Sequence, residues 1–342
     1  MKRSLLLTSA IAALTFASCQ QAEYKRNVGY VFGTSYNIIY KSNVDYEDSI
    51  LAQLTLFGES LSTYNPLSTI SKINDGTSTE TDEYFRTVFN KAAEINKLSD
   101  GAFDITVSPL SSLWHFESTT PDTISKEEYN NILSKVDSVL QFVGMDKVYI
   151  NENNQLIRSD NRIRLDACAL AEGFGIDLAA QKLEDLGVTD YLVEIGGEIH
   201  IKGVNRDGEK WRVGIDKPIE NKTLRQANRP LQYKLALTDC AVSTSGSYRQ
   251  FYYTADGKRI AHTIDPRTGH PIEHGMLSAT VIGPNTITTD ALSTSFMVLG
   301  AEKAMALANS IDGIEAYIIY QLPDGSMHED MTEGFQKLII NK

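Results

Sequence analysis

Amphipathic helical segments and short hairpin-forming strands alternate along the chain, and this mixture limits the available folds more than any other feature. Residues 45–61 and 81–98 repeat apolar side chains at helical spacing. Residues 28–40 and 191–204 instead follow the strand pattern, and the second run is interrupted by Gly196-Gly197. Because helices and antiparallel hairpins are intermixed, the sequence predicts an α+β fold with mixed, largely antiparallel sheets and flanking helices.

Local signals predict further elements. Ser125-Lys-Glu-Glu128 is a capping box, which predicts a helix that runs to about Phe142. Residues 231–243 predict one strand and residues 289–308 one helix. The Pro/Asn-rich stretch at residues 216–230 predicts an exposed, variable loop.

The N-terminal residues have the pattern of a secretory signal. Lys2 and Arg3 precede a short apolar run, and small residues precede Cys19. The run is too short and wrongly flanked for a membrane-spanning helix. Small residues before a cysteine are typical of a bacterial lipobox, in which that cysteine becomes the lipidated first residue. An ordinary signal peptide with an incidental cysteine is the alternative.

The predicted organisation is therefore a signal peptide over residues 1–18, a lipidated tether over residues 19–27 and one domain over residues 28–342. Such a chain would be a lipoprotein that is anchored in the bacterial cell envelope and faces the periplasm.

Charge and cysteine content narrow the function. The formal net charge is −12 at pH 7, which argues against nucleic acid as a partner because its phosphates favour Lys and Arg clusters. Apart from Cys19, the cysteines are Cys168 and Cys240, and their spacing alone cannot decide whether they pair. No Cys/His cluster suited to zinc is present.

Two motifs in the last third of the chain carry the clearest chemistry. His262-Thr-Ile-Asp-Pro-Arg-Thr-Gly269 places a histidine and an arginine near a turn, and Asp290-Ala-Leu-Ser-Thr294 offers hard oxygen ligands. Asp290 and Thr294 are four residues apart, so on a helix they point from one face. Magnesium prefers such oxygen donors and leaves positions to water and substrate phosphates. The pair alone also fits an ordinary first turn of a helix.

Other motifs are ambiguous when taken singly. The turn at residues 101–109 could bind a planar ring through Phe103 and a hydroxyl through Asp104. Alternatively, Phe103 is an ordinary core residue. Glu172 lies in a small, apolar stretch, so its carboxylate needs a donor or a cation, unless it is a solvated first-turn residue. The glycines of residues 194–198 allow a close backbone approach or a bulge. The hydroxyl-rich residues 243–249 could bind phosphate or form a plain turn.

The joint order of these motifs resembles the FAD:protein FMN transferases, the ApbE family, over roughly residues 28–340. The resemblance rests on the two motifs above and on six further segments: Gly33-Thr-Ser-Tyr36, Leu61-Ser-Thr-Tyr-Asn-Pro66, Gly101-Ala-Phe-Asp-Ile-Thr106, residues 166–177, Ile195-Gly-Gly-Glu198 and Ser243-Thr-Ser-Gly246.

The resemblance implies an activity and its partners. The family uses FAD as donor and magnesium as cofactor, and transfers FMN through a phosphoester bond to a Thr or Ser hydroxyl of a target protein, with release of AMP. The expected acceptor is a membrane or envelope redox protein with a motif close to Asp-x-x-Ser/Thr-Gly-Ala-Thr/Ser. This chain contains no such motif, so it resembles the modifying enzyme.

The resemblance also implies site residues. Magnesium would be held by the Ala169 carbonyl, Asp290 and Thr294, and His262 would be the general base beside the catalytic Asp290. FAD would contact Phe32, Tyr64, Ala102, Phe103, Asp104, Asp166, Glu172 and Ile264. The chain departs from many members at two of these positions, with Phe32 where Met is common and Glu172 where Lys is common. Arg267 is expected to secure the turn at Asp265-Pro266.

Two other functions remain compatible with the sequence. A related hydrolase would split FAD into FMN and AMP with water as the nucleophile, and would differ from a transferase in what excludes water. A non-catalytic flavin-binding lipoprotein would require loss of the metal ligands, yet Asp290 and Thr294 are present.

Overall fold

A computed structural model describes residues 23–117, 120–219, 230–248 and 250–341. The predicted signal peptide, Cys19 and most of the predicted loop at residues 216–230 lie outside the described residues.

The described helices and strands are intermixed along the chain. The helices are α1 (Glu47–Leu61), α2 (Thr69–Asp75), α3 (Glu83–Leu98), α4 (Ser108–Leu113), α5 (Lys126–Leu133), α6 (Val136–Leu140), α7 (Cys168–Asp185), α8 (Thr286–Leu299), α9 (Ala301–Ser310) and α10 (Glu333–Leu338). The strands are β1 (Tyr24–Val31), β2 (Thr34–Lys41), β3 (Thr123–Ile124), β4 (Val148–Ile150), β5 (Leu156–Arg158), β6 (Tyr191–Ile195), β7 (Glu198–Lys202), β8 (Trp211–Asp216), β9 (Leu231–Leu237), β10 (Cys240–Gly246), β11 (Phe251–Thr254), β12 (Arg259–Ala261), β13 (Ile264–Asp265), β14 (His270–Pro271), β15 (Met276–Gly283), β16 (Glu315–Gln321), β17 (Met327–Met331) and β18 (Ile339–Asn341).

The main sheet has eight strands in the order β1-β2-β6-β7-β10-β15-β16-β17, and its neighbouring strands are antiparallel. A three-stranded sheet, β18-β9-β8, packs against one face of it, and a second small sheet, β12-β11-β3, contains a parallel pair between β11 and β3. The predicted α+β class with mixed, largely antiparallel sheets is therefore confirmed.

Helices cover the other face of the main sheet because alternate strand residues and one helix face are apolar. Tyr36, Ile38 and Tyr40 of β2 are buried against Leu54 of α1 and Ile176 of α7. A larger cluster joins α3, α8 and α9 to the strands near the centre of the sheet. This packing fixes where α7 and α8 begin, and both helices begin at the site described below.

A separate apolar cluster lies under the small sheet. Trp114 of the turn after α4, Val136 of α6 and Tyr252 of β11 are buried together. The indole N–H of Trp114 donates to the Gly269 carbonyl oxygen at 2.8 Å, which ties this cluster to the turn after β13.

The structure corrects several predicted boundaries. β1 begins at Tyr24, so residues 24–27, which we assigned to the tether, belong to the sheet. The predicted strand at residues 231–243 is two strands, because Asp239 between them adopts a φ of 50°. The predicted helix at residues 289–308 starts earlier and is broken at Gly300, whose φ of 79° is not helical.

The capping box of α5 is present, since the Ser125 side chain accepts from the Glu128 N–H. The helix predicted to run to Phe142 nevertheless ends at Leu133, and α6 follows it. Among the helices that the structure describes, none has both the length and the apolar content that crossing a bilayer requires.

Candidate active site

The first turns of α8 carry Asp290 and Thr294, and two side chains hold the start of this helix. Asn285 accepts from the Thr288 N–H at 3.1 Å, as an N-cap residue does. Asp177 of α7 accepts from the Thr286 N–H at 2.7 Å and from the Ile287 N–H at 2.9 Å. These bonds satisfy amides that a helix start leaves unpaired, and they join α8 to α7.

A second hydrogen bond between the two helices runs in the opposite direction, from an amide of α7 to a carboxylate of α8. The Gly173 N–H donates to Asp290 Oδ2 at 3.2 Å. A Cβ atom at residue 173 would lie 2.6 Å from the Thr286 carbonyl oxygen and 2.9 Å from Asp290 Cβ, so this crossing requires glycine. Each helix therefore provides a carboxylate that accepts from amides of the other helix: Asp177 of α7 accepts from α8, and Asp290 of α8 accepts from α7.

The same contact bears on the predicted main-chain ligand. Ala169 lies inside α7 with a non-helical ψ of 15°. In a regular helix its carbonyl would accept from the Gly173 N–H, which here donates to Asp290. Ala169 thus lies one turn before the amide that bonds to Asp290, and its role as a metal ligand stays a prediction.

A second carboxyl group meets Asp290 from the sheet. Glu198 begins β7, and its carboxyl is in hydrogen-bonding contact with that of Asp290. Glu198 Oε2 is buried and has no hydrogen-bond donor in the described part of the chain. Burial raises the pKa of Asp290 to about 7, and burial and the charge of Asp290 hold the pKa of Glu198 well above its usual range.

Hydroxyl groups from β10 face the same turn of α8. Ser245 Oγ lies 2.8 Å from Ser293 Oγ and 3.1 Å from Thr294 Oγ1. Ser243 Oγ, two residues earlier on the strand, lies 2.8 Å from Thr289 Oγ1. The predicted hydroxyl-rich segment therefore contacts the helix that carries Asp290.

The donor set fits a hard divalent cation. Carboxylate, hydroxyl and main-chain oxygens are the ligands that magnesium prefers, and the buried Glu198 oxygen receives no donor from the described residues. Among the residues described, no group of three or more His, Cys, Asp and Glu side chains could hold a metal ion. A cation here would therefore need the Ala169 carbonyl and the Thr294 hydroxyl, as we predicted, together with oxygens of a ligand.

Four of the predicted flavin-contacting residues surround this group. Glu172, one turn into α7, has its pKa raised by burial, and its Oε2 lies 3.3 Å from the position of a Cβ atom at Gly196. Tyr64 is 85% exposed, and its pKa is raised by Cys168, Asp166 and Glu172, which places its hydroxyl beside them. An exposed ring above a group of carboxylates is free to stack on a ligand.

Phe32 lies at the tip of the β1–β2 hairpin and packs into the protein. Its ring centroid is 5.5 Å from that of Phe57, and its ring approaches Gly175 of α7. The tip of the hairpin, at Thr34, meets the Gly196 turn between β6 and β7. Phe32 is therefore beside the site, with one side of its ring already covered by protein.

The turn with Ala102, Phe103 and Asp104, which are predicted to contact FAD, is largely structural. Ala102 and Phe103 are 1% and 3% exposed. Asp104 Oδ1 accepts from the Thr106 N–H at 2.7 Å, and Oδ2 accepts from the Met145 N–H at 2.9 Å. The role predicted for these three side chains in binding FAD thus stays a prediction.

This turn is nevertheless attached to the site. The Asp166 N–H donates to the Ile105 carbonyl oxygen at 2.7 Å, and the Arg267 side chain lies against Gly101. Arg267 also forms a bidentate pair with Asp265, with bonds of 2.8 Å to each carboxylate oxygen. Arg267 therefore secures the turn at Asp265, as predicted, and joins it to the Gly101 turn.

His262 is oriented by a main-chain contact. Its Nδ1 lies 3.0 Å from the Gln250 carbonyl oxygen, which can only accept, so Nδ1 carries the proton and Nε2 the lone pair of the neutral ring. Gln250 follows Ser245 by five residues, a chain length that spans at most ~17 Å. His262 is thus linked to the Thr294 contact by one short segment. Ile264 is 6% exposed in the cluster around Trp114.

The cysteines do not form a disulfide. Cys168 and Cys240 are both free thiols, the first exposed and the second half-buried. The neighbouring Asp166 carboxylate holds the pKa of the Cys168 thiol well above its ordinary value. The open question of their pairing is therefore settled in favour of two thiols.

Three side chains of this site, Glu198, Asp177 and His200, are not predicted as site residues from the sequence. Glu198 and Asp177 only end the segments at residues 194–198 and 166–177, and His200 lies in none of the motifs. His200 Nδ1 lies 2.8 Å from Asp177 Oδ1 and thereby supports the cap on α8. An acid directly after Gly196-Gly197 was the available signal, because such a turn fixes the direction of the next side chain.

The fold and the site define an α+β protein with a group of carboxyl and hydroxyl oxygens where α7 and α8 meet the main sheet. The chain belongs to the ApbE family, whose family model matches residues 32–318.

Known proteins similar to this chain bear names that agree with the family. A Haemophilus influenzae protein named FAD:protein FMN transferase is 32% identical over 365 residues, which cover 100% of both chains. A Vibrio cholerae protein of the same name is 34% identical and aligns over 93% of this chain and 94% of its own length. The solved structure named flavin transferase ApbE from Vibrio cholerae has a TM-score of 0.79 at 33% identity, and covers 93% of this chain and 99% of that chain.

Proposed function

We propose that this protein is a flavin transferase that moves FMN from FAD to a Thr or Ser hydroxyl of a target protein, in a magnesium-dependent reaction that releases AMP. The observation that carries the proposal is the reciprocal contact between α7 and α8. In that contact the Gly173 N–H donates to the Asp290 carboxylate, and the Glu198 carboxyl beside Asp290 has a buried oxygen with no donor among the described residues.

Magnesium at these oxygens would neutralise the charge of the FAD diphosphate and polarise the phosphorus under attack. Ala169, Asp290 and Thr294 would hold it. Tyr64, exposed beside Asp166 and Glu172, offers a ring on which the isoalloxazine or adenine of FAD can stack.

His262 is suited to be the general base. Because Nδ1 donates to a carbonyl oxygen, the lone pair of the neutral ring is on Nε2, which can take a proton from an incoming hydroxyl. In the transfer the hydroxyl oxygen bonds to the FMN phosphorus, and the bond from that phosphorus to the bridging oxygen breaks. The proton goes to the base, and AMP leaves with the bridging oxygen.

Hydrolysis of FAD to FMN and AMP is the second candidate, since water can use the same base and cation. The chain's similarity to proteins named FAD:protein FMN transferase over nearly its whole length favours transfer to a protein. That similarity also favours catalysis over a role as a flavin-binding lipoprotein.

The proposed acceptor is an envelope or membrane redox protein with an Asp-x-x-Ser/Thr-Gly-Ala-Thr/Ser motif. We further propose that lipidation of Cys19 anchors the chain in the cell envelope, facing the periplasm. The lipobox-like residues before Cys19 support this location.

Mass spectrometry of an acceptor peptide tests the reaction directly. Purified protein, FAD, magnesium and a peptide with the acceptor motif should yield a peptide that has gained FMN with loss of water, and AMP in equal amount. A matched peptide with Ala in place of the acceptor Thr should remain unmodified. Rapid AMP release with no modified peptide would instead identify a hydrolase, and release of neither product would reject both reactions.

A further inference from the structure

Glu198 has an environment that a structural carboxylate does not have. Its Oε2 is buried and receives no donor within the described residues, and its carboxyl is in contact with the carboxyl of Asp290. By comparison, half-buried Glu329 accepts from the Tyr233 hydroxyl at 2.6 Å and from the Tyr317 hydroxyl at 2.6 Å. Burying a carboxylate without donors is costly, so an arrangement like that of Glu198 needs a compensating group.

The direction of the Glu198 side chain is set by its strand. Gly196 and Gly197 form a two-residue turn with φ values of 65° and 102°, and β7 begins directly after them. Residues two apart on a strand share a face. His200 on that face bonds to Asp177, which holds the start of α8. Glu198 therefore faces the same helix one turn further along, where Asp290 lies.

Two carboxyl groups in contact repel each other unless a proton or a cation lies between them. Here Glu172 adds a third carboxylate nearby, and Thr294 lies one turn after Asp290 on α8. A shared proton would serve only the two carboxyl groups in contact, whereas a divalent cation binds several oxygens at once.

We propose that Glu198 supplies a second carboxylate to the divalent-cation site, as a ligand of the same cation as Asp290. The inference rests on the magnesium site of the proposed function. Two carboxylates balance the charge of one divalent cation, so the site would bind magnesium before FAD arrives. The cation would then be a resident part of the protein and would not have to enter with the nucleotide.

Calorimetry without FAD tests this directly. Magnesium is titrated into the purified full-length chain and into Glu198→Gln, Glu198→Asp and Glu329→Gln. We expect Glu198→Gln to bind magnesium about tenfold or more weakly. Glu198→Asp keeps the negative charge and should therefore lose less magnesium affinity than Glu198→Gln. Glu329→Gln, which changes a half-buried glutamate whose oxygens have donors, should bind magnesium as the unmodified chain does.

Thermal unfolding without metal separates a ligand from a structural residue. The Gln amide can donate to Asp290, so Glu198→Gln should have a melting temperature equal to or above that of the unmodified chain when magnesium is absent. Adding magnesium should raise the melting temperature of Glu198→Gln by less than it raises that of the unmodified chain. Glu329→Gln should be less stable in both conditions, because it breaks satisfied hydrogen bonds.

Unchanged magnesium affinity in Glu198→Gln would overturn the inference and leave the proposed function standing. A lowered melting temperature without metal, combined with normal magnesium binding, would make Glu198 a structural residue. Failure of the unmodified chain to bind magnesium at all would reject the cation site, and with it the magnesium dependence of the proposed function.

Discussion

At the scale of single residues, Asp290 combines two tasks. It accepts one main-chain amide from α7 and it presents a carboxylate to the proposed cation. Its contribution to the fold is thus one hydrogen bond, worth about 1.5–3 kcal/mol for a charged acceptor, while its proposed contribution to the reaction is the cation itself.

Asp290→Ala should therefore abolish magnesium-dependent turnover and leave the fold intact. The measurement is the yield of flavin-labelled peptide, with circular dichroism as the check on folding. Asp324→Ala, which removes a carboxylate from an exposed turn, is the matched control and should keep full activity. Full turnover in Asp290→Ala would remove this residue from the site.

His262→Ala should lower turnover by about 10²–10⁴-fold, which is the usual loss when a general base is removed. His270→Ala, an exposed histidine eight positions later, should have nearly normal turnover. The rate of peptide labelling at saturating FAD and magnesium measures both. Equal rates in the two variants would show that His262 is not the base.

Asp290, Thr294 and His262 could be predicted as site residues because each lies in a motif that resembles one of the family. Glu198 and Asp177 could not, because what singles them out is a buried oxygen without a donor and a cap on a distant helix. Neither property exists until residues that are far apart in sequence are brought together.

At the scale of elements, the crossing of α7 and α8 decides the geometry of the site. Asp177 bonds to two amides of α8, and His200 holds Asp177 from the strand. We call these bonds of Asp177 to α8 and to His200 the Asp177 clamp. Loss of the clamp should let α8 shift relative to the Ala169 carbonyl.

Asp177→Ala should lower stability by roughly 1–3 kcal/mol and weaken magnesium binding as well. Asn285→Ala removes the cap that α8 provides for itself and should cost about 1 kcal/mol with little change in magnesium affinity. Denaturant unfolding and calorimetry on both variants measure the two quantities. Equal magnesium affinity in the two variants would mean that the clamp does not position the site.

The spacing of apolar residues predicts the long helices well, but it does not predict where the backbone breaks. α1 and α3 lie within the predicted ranges. The break at Gly300 and the turn at Asp239 depend on positive φ values. Apolar spacing continues through both, so the sequence pattern favours one unbroken element.

At the scale of the whole molecule, the site is assembled from segments spread over most of the chain. The order of motifs therefore identified the family, while the fold class followed from the mixture of helix and strand patterns. The predicted boundary at residue 28 failed because Tyr24, Lys25 and Arg26 look like a polar tether, yet they pair with β2.

Cys19→Ser should release the protein from the membrane fraction while the transfer of FMN to a soluble peptide continues. The lipid, and not the domain, would provide the attachment. Fractionation of cells followed by the peptide assay measures both properties, and Cys240→Ser is the control thiol change, which should stay with the membrane. Retention of Cys19→Ser in the membrane fraction would rule out this residue as the anchor.

β1 starts at Tyr24, five positions after Cys19, and its other end leads into the hairpin tip at Phe32 beside the site. Eight strand residues extend about 26 Å. A lipid on Cys19 would thus limit how far the site can move from the headgroups, because only β1 and a few residues before it connect the two. The enzyme would then reach only those hydroxyls of its target that lie within the length of this connection.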